Sequence, residues 1–289
     1  MTSRLERFQL ALRVAHARRR VALMGVCNVT PDSFSDGGRY LGAEAARARV
    51  DELLAEGADL IDVGGESTRP GAAPVPAREQ LTRILDVVRH AVERGACVSV
   101  DTTLPEVAAA CLDAGACAVN DVSCLRDDEL AKVTAASGAA LILMHSRGTQ
   151  ETMRGFSEYP DDAYGDIVED VKREWLLAAA RALSAGIPKA GLVMDPGLGF
   201  AKNARQSMEL LRRLDELERA LSVPIAIGAS RKSFLALLDP TAAPEQRLGA
   251  SVMATIHARL CNADIVRVHD VRASAQGIDF MRAMSPTEP

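Results

Sequence analysis

The segment CVSVDTTLPEVAAACLDAGACAVND, residues 97–121, contains one full structural period. Cys97-Val98-Ser99-Val100 is a short run of strand formers that ends in Asp101-Thr102. A helix-period stretch over 104–114 stops at Gly115, and a second run, Ala118-Val119, ends in Asn120-Asp121. Short apolar runs separated by amphipathic helices mean parallel strands, because a crossover must carry the chain back before the next strand can start.

The same unit recurs in both directions. Runs at 21–27, 60–63, 140–144, 192–194, 224–227 and 265–268 bring the number to eight, and helix-period stretches lie at 43–55, 77–92, 128–136, 161–185, 205–221, 245–260 and 271–284. Gly57, Gly95, Gly138 and Gly186 fall where helix C-terminal caps belong. Eight βα units in roughly 265 residues predict an α/β fold of the (β/α)8 TIM-barrel type. An open doubly wound sheet is disfavoured, since the first strand-to-helix turn lacks G-x-G-x-x-G. No linker interrupts the pattern. The expected organisation is an N-terminal helical extension over 1–20 and one barrel over 21–289.

Composition narrows the function classes. The chain of 289 residues has 34 Lys+Arg against 39 Asp+Glu, a formal charge of −5. An acidic balance argues against nucleic acid as partner, and no run reaches the roughly 18 apolar residues of a membrane span. The six cysteines form no C-x-x-C pair, and several lie within apolar runs, so free thiols in a reducing cytoplasm are expected. Residues 4–20 are Arg-rich but have no apolar core or cleavage site of a secretory signal.

In a barrel the carboxyl ends of all strands meet at one mouth, where such enzymes carry their chemistry. Here the ends are Asn28, the 64–71 loop, Asp101-Thr102, Asn120-Asp121, His145-Ser146-Arg147, Asp195-Pro196-Gly197, Ser230-Arg231-Lys232 and Arg267-Val268-His269-Asp270. One polar strand end is more often a helix cap than a ligand contact. Eight at one mouth point to an active site. Asp101 and Asp195 suit the paired N–H donors of a guanidine-like heterocycle. Ser230-Arg231-Lys232-Ser233 reads as the start of a helix and an anion site. With Arg69, Arg267 and His269 it gives one mouth several cationic or donor groups, which suits a phosphate or pyrophosphate, although ion pairs with Asp121 or Asp270 account for one or two of them. Asn28 offers a neutral oxygen to Mg²⁺ held mainly by a diphosphate. The loops 30–38 and 66–76, which contain Phe34, read as lids.

These residues resemble the dihydropteroate synthases of folate biosynthesis. The resemblance is carried by Met24–Gly38, Asp62–Gly71, Asp195-Pro196-Gly197 with Gly199-Phe200, Ser230-Arg231-Lys232-Ser233 and Arg267-Val268-His269-Asp270. It implies a cytoplasmic transferase, a homodimer, that joins 4-aminobenzoate to the pyrophosphate ester of hydroxymethyl-dihydropterin and releases pyrophosphate. It further implies pterin contacts at Asp101, Asn120, Asp195 and Lys232, with Asp195 facing the aminopyrimidinone edge. Arg267 and His269 then bind pyrophosphate, with Arg267 also covering the pterin face, while Val268 belongs to the substrate-binding set and Thr68 contacts substrate. Phe34, Arg69, Pro70, Phe200 and Ser230 border the aminobenzoate and sulfonamide pocket, Met144 and Val122 are apolar wall, and Asn28 is the Mg²⁺ ligand. Asp101, Lys232 and Arg267 would carry the chemistry.

Departures from the family pattern are Leu104 in place of a Lys, Ser146 in place of a Met, and Leu198 and Ala201 in place of a Phe and a Gly. Three rival readings stand beside this one. A pterin module of a corrinoid methyltransferase would share the Asp/Asn/Asp set but hold no pyrophosphate. A non-catalytic paralogue would bind pterin without turnover. A Schiff-base aldolase would need a desolvated lysine away from anion-binding groups.

Overall fold

The computed structural model describes residues 2–30, 38–67, 73–148, 159–237 and 239–284. Its eight strands are β1 (Ala22–Asn28), β2 (Leu60–Gly64), β3 (Cys97–Asp101), β4 (Ala118–Asp121), β5 (Ala140–Met144), β6 (Leu192–Asp195), β7 (Ala226–Ile227) and β8 (Ile265–Val268). Every expected run is a strand. All pairings are parallel in the order β6-β5-β4-β3-β2-β1-β8-β7. A bridge between Met194 and Ile225 brings β6 to β7 and closes the barrel.

Among the described residues ten helices surround or cap it: α1 (Arg4–Ala17), α2 (Gly38–Ala55), α3 (Ala77–Glu93), α4 (Pro105–Asp113), α5 (Asp128–Ala136), α6 (Ile167–Ser184), α7 (Ala204–Arg212), α8 (Leu214–Ala220), α9 (Leu248–Leu260) and α10 (Val271–Met284). Helix α2 starts five residues before the expected 43–55 stretch, and three further differences from the sequence periodicity each have a local reason. Helix α6 starts at Ile167, not at 161, because the Asp166 carboxylate accepts from the amides of Val168 and Glu169 and sets the N-cap there. The 205–221 stretch breaks at Arg213, whose φ −102° and ψ 24° leave the helical region, and becomes α7 and α8. The 245–260 stretch opens with a 3-10 turn, Pro244–Arg247, before α9.

Alternation along each strand sorts the side chains into two sets. Leu23, Ile61, Val98, Val119, Leu141, Met194, Ile227 and Val266 join the large core between sheet and helices. Ala22, Met24, Leu60, Cys97, Ala118, Ala140, Ile142, Val193, Ala226 and Ile265 point into the barrel. Two residues further along five of the inward rows the apolar set gives way to Asp62, Ser99, Asn120, Asp195 and Arg267, all in the same inward register.

Helix α1 closes the opposite end. Ser3 and Glu6 form a reciprocal capping box that starts it, and Phe8, Leu12 and Ala15 pack into the inward cluster. Arg4 donates to the carbonyls of Leu112 and Ser137 at 2.9 and 3.0 Å, and Arg7 to that of Gly115 at 2.7 Å, so the plug is also tied to loop backbone. Phe8 is 1% exposed while Leu10 on the same helix is 50% exposed. Phe8→Ala is therefore expected to lower the unfolding free energy by about 3–4 kcal/mol, and Leu10→Ala by less than about 0.5 kcal/mol, in urea titrations followed by circular dichroism.

Candidate active site at the carboxyl end of the barrel

Strand register lines up the mouth. Asn28 pairs with Gly64, Gly64 with Asp101 and Asp101 with Asn120, while Met144 pairs with Asp195 across β5 and β6. Gly64 matters because it has no side chain: a Cβ there would lie 3.4 Å from Asn28 Oδ1 and 3.3 Å from Asp101 Cβ. Its absence lets the Asn28 amide and the Asp101 carboxyl face the same small volume.

Arg267 is the hub. Its Nε donates to Asp62 Oδ2 at 2.6 Å and its Nη2 to Asp101 Oδ2 at 2.9 Å. Asn120 Nδ2 donates to the same Asp62 oxygen at 3.1 Å. Burial works against the Arg267 charge, but Asp62 and Asp101 more than compensate and its pKa is raised. Burial pushes the Asp101 carboxyl up to about 7, with Arg267 opposing and Asp62 adding to the rise. Two carboxylates share one guanidinium here.

The other wall holds Asp195 and Lys232. Burial raises the Asp195 pKa, opposed chiefly by the Lys232 charge. Burial likewise brings Lys232 down to about 8, opposed by Asp195. Lys232 Nζ donates to Leu198 O at 2.6 Å and lies 4.7 Å above the Phe200 ring. Gly228 marks where the two walls meet: a Cβ built there would lie 3.7 Å from Lys232 Nζ, 3.9 Å from Arg267 Cβ and 4.0 Å from Asp195 Oδ2. Three residues distant in sequence thus border one small space.

Several expectations change. The segment from Ser230 does not open an α-helix. It turns at Arg231, with φ 61°, into a five-residue 3-10 stretch, Ser233–Leu237, so no helix terminus supplies an anion site. Arg231 is occupied by Asp270, at 2.6 and 3.0 Å. Ser230 Oγ accepts from the His269 amide at 3.2 Å and lies 3.1 Å from its Nδ1. Burial, then Arg267 and Arg231, push the His269 pKa down to about 3, which makes its imidazole neutral and no source of positive charge. Val268 packs in the core between sheet and helices, out of register with the inward row. Asp121 also faces that side and staples its own loop, accepting from Ser123 and from the amide of Leu125. Phe34, Thr68, Arg69 and Pro70 lie outside the described residues, as do 31–37 of the first expected lid and 68–72 of the second.

Three charged residues were not singled out from the sequence. Asp62 interrupts an apolar run at an inward position between Leu60 and Gly64, which is the signal that marks it. Lys202 is 1% exposed and donates to His145 Nδ1, Gly197 O and Phe200 O. Glu174 on α6 accepts from His145 and Arg147, and nothing in a helix periodicity announces that contact. Among the described residues no group of three His, Cys, Asp or Glu forms a metal cluster.

Comparison with known proteins agrees with this geometry. Residues 24–269 match the model of the pterin binding enzyme family. The Mycobacterium leprae dihydropteroate synthase is 44% identical over 91% of this chain and 93% of its own length. This chain belongs to the dihydropteroate synthase family. The Xanthomonas albilineans dihydropteroate synthase solved with 4-aminobenzoic acid superposes with a TM-score of 0.84 at 40% identity, covering 92% of this chain and 94% of that one. The same organism's enzyme in complex with 7,8-dihydropteroate gives 0.81 at 37% identity over 92% of this chain and 95% of that one. Dihydropteroate synthases are transferases, and the eight-stranded barrel is their fold. A corrinoid methyltransferase module is therefore set aside.

Asp62 tests the hub. Asp62→Asn leaves Arg267 with half of its counter-charge in the barrel interior. The expected loss is about 2–4 kcal/mol of unfolding free energy in guanidinium titrations, together with weaker pterin binding by calorimetry. A loss below about 0.5 kcal/mol, the size of an ordinary surface substitution, would show that Asp62 does not anchor the arginine.

Proposed function

We propose that this mouth joins 4-aminobenzoate to the pyrophosphate ester of hydroxymethyl-dihydropterin, giving 7,8-dihydropteroate and pyrophosphate. The convergence of Asp195, Lys232 and Arg267 around Gly228 carries the reading. One side of that space is acidic and accepts the N–H edge of a flat heterocycle; the other is cationic and holds a diphosphate. Asp195 receives the aminopyrimidinone edge, Asn120 and Lys232 border the pterin, and Arg267 spans the pterin face and the leaving group. Met144, buried beside Asp195, is wall. Phe200 and Ser230 border the aminobenzoate, with Phe34, Thr68, Arg69 and Pro70 completing that side.

The C–O bond to pyrophosphate breaks with its electron pair leaving on oxygen. The electron-poor methylene left behind is conjugated to the pterin, and Asp101 stabilises its positive charge. The arylamine nitrogen then forms the C–N bond and loses its proton, which the departing pyrophosphate can accept. Arg267 stabilises the developing anion, an effect strongest where water is excluded. His269, neutral in the free chain, contributes as a hydrogen-bonding group.

The donor set fits Mg²⁺ as a one-ligand site. Asn28 Oδ1 is a hard neutral oxygen at the Gly64 notch, and one Asp101 oxygen is already held by Arg267. The remaining ligands would come from diphosphate and water. When bound, the ion supplies charge neutralisation on the leaving group. Residues 1–20 serve as an extension of a single barrel unit over 21–289. No described helix is long and apolar enough to cross a membrane, and we assign the chain to the cytoplasm.

Met253, Leu260, Phe280 and Met284 on the adjacent helices α9 and α10 are each more than 60% exposed. That shared apolar face supports a homodimer. Sedimentation should give a dimer, and Phe280→Glu should shift it toward monomer. A wild-type monomer at micromolar concentration would exclude it.

Two kinetic outcomes test the chemistry. Asp101→Asn should lower kcat by about 10²–10³, a larger effect than its loss of pterin affinity. The ionised Asp101 carboxylate is the active form, and its folded pKa lies near 7, so wild-type kcat/KM should fall as pH drops below about 7. That limb should be missing in Asp101→Asn. Undiminished turnover with pterin binding intact would remove Asp101 from the mechanism.

A further inference from the structure

Two of the chain's five lysines, Lys202 fully buried and Lys232 half-buried, flank the loop after β6. Lys232 faces the mouth. Lys202 lies behind the loop, and no substrate contact accounts for it. Among the described residues no carboxylate is within hydrogen-bond reach of its ammonium. It has three acceptors instead, His145 Nδ1 at 2.9 Å, Gly197 O at 3.1 Å and Phe200 O at 3.1 Å, one for each N–H of an ammonium. The loop is shaped to present those carbonyls: Gly197, Gly199 and Ala201 adopt φ 69°, 78° and 47°. Gly197 permits no side chain, since a Cβ would lie 2.0 Å from His145 O.

Both loop residues assigned to substrate hang from this arrangement. The Gly197 amide donates to Asp195 Oδ1 at 2.7 Å, while the carbonyl of the same residue accepts from Lys202. The Phe200 carbonyl, directly behind its ring, accepts from Lys202 as well. The acceptor on the third side is fixed in turn. Glu174 has only lone pairs to offer His145 Nε2, at 3.0 Å, so the ring carries its proton there and leaves Nδ1 free to accept. Burial, then the Lys202 charge, lower the His145 pKa to about 4, in keeping with a neutral ring. Asp195, Lys232 and Arg147 are the charges whose fields reach Lys202, and burial draws its own pKa down to about 7. A hydrocarbon would fill this space without the cost of burying an ammonium, but it would leave the carbonyls unmatched.

We propose that Lys202 is a positioning residue, which fixes the Gly197 and Phe200 carbonyls against His145 and so sets Asp195 and Phe200 as one rigid wall for both substrates. The proposal rests on the assignment of that wall to substrate. Lys202→Met keeps the volume and removes the donors. In steady-state assays of dihydropteroate formation it should raise KM for the pterin ester and for 4-aminobenzoate about tenfold each, with kcat within about threefold. A role in packing alone would lower the melting temperature and leave both KM values unchanged, and that result would overturn the proposal. So would loss of kcat at unchanged KM.

If Lys202→Met does not fold, His145 gives the same answer. His145→Leu removes one of the three acceptors and should raise both KM values about threefold, whereas His145→Asn puts an oxygen where Nδ1 stood and should restore them. Equal behaviour of the two variants would overturn the proposal. A wild-type chain that forms no dihydropteroate, or an Asp195→Asn variant that binds pterin normally, would instead strike the wall's assignment and take the proposal with it.

Discussion

Arg267 brings a full positive charge into the interior of the barrel, and the mouth is organised around matching it. A lone buried guanidinium would be costly by several kcal/mol. Two carboxylates, Asp62 and Asp101, and through Asp62 the Asn120 amide, converge on it from three neighbouring strands. That convergence fixes which side chains are left with capacity for substrate. Asp101 keeps one oxygen free of Arg267 and is the group whose affinity for a proton rises toward neutrality. The ion pair that holds the barrel's upper layer together and the group assigned to cation stabilisation are therefore the same carboxylate.

The second wall solves a different problem. The loop after β6 must turn sharply while placing Asp195 and Phe200, and it does so with three left-handed residues in five positions. Two are glycines, for which this conformation carries no steric penalty. The third, Ala201, stands where the family pattern has Gly, and a non-glycine residue there costs about 1–2 kcal/mol. Tyr164 donates to its carbonyl at 2.8 Å, and Arg147 stacks 3.9 Å over the Tyr164 ring, so strain in this chain's version of the loop is offset by an aromatic buttress from the segment preceding α6.

Most of the architecture was legible because strand and helix periods are local properties. All eight strands lie where the apolar runs fall, and Asp195, Lys232 and Arg267 border one space at Gly228. Helix limits were less legible at α6, where Asp166 caps the helix, and at Arg213, where the backbone leaves the helical region without glycine or proline. The helix expected after Ser230 failed for a similar reason, since a left-handed Arg231 is invisible to periodicity. Side-chain alternation was an unused signal at two places. It puts Asp62 in the barrel interior and Val268 outside it, because each lies one step from a residue of the opposite facing. Lys202, His145 and Glu174 meet across separate elements, and only the folded chain joins them.

The two ends of the barrel divide the physical labour. At the amino-terminal end, the inward rows are apolar and α1 packs Phe8, Leu12 and Ala15 against them, which adds hydrophobic burial of about 1.5–3 kcal/mol for each large side chain. At the carboxyl end the same rows carry Asp62, Asp101, Asn120, Asp195 and Arg267, whose desolvation opposes folding. A barrel built throughout like its upper layer would be a poor fold, and one built throughout like its lower layer would bind nothing polar. The period-two rows let both requirements be met on the same strands, with the change of character falling within the last three residues of β2, β3, β4, β6 and β8. Lys202 extends that logic beyond the strands: it buries a charge against His145 Nδ1 and the carbonyls of Gly197 and Phe200, in the loop that follows β6.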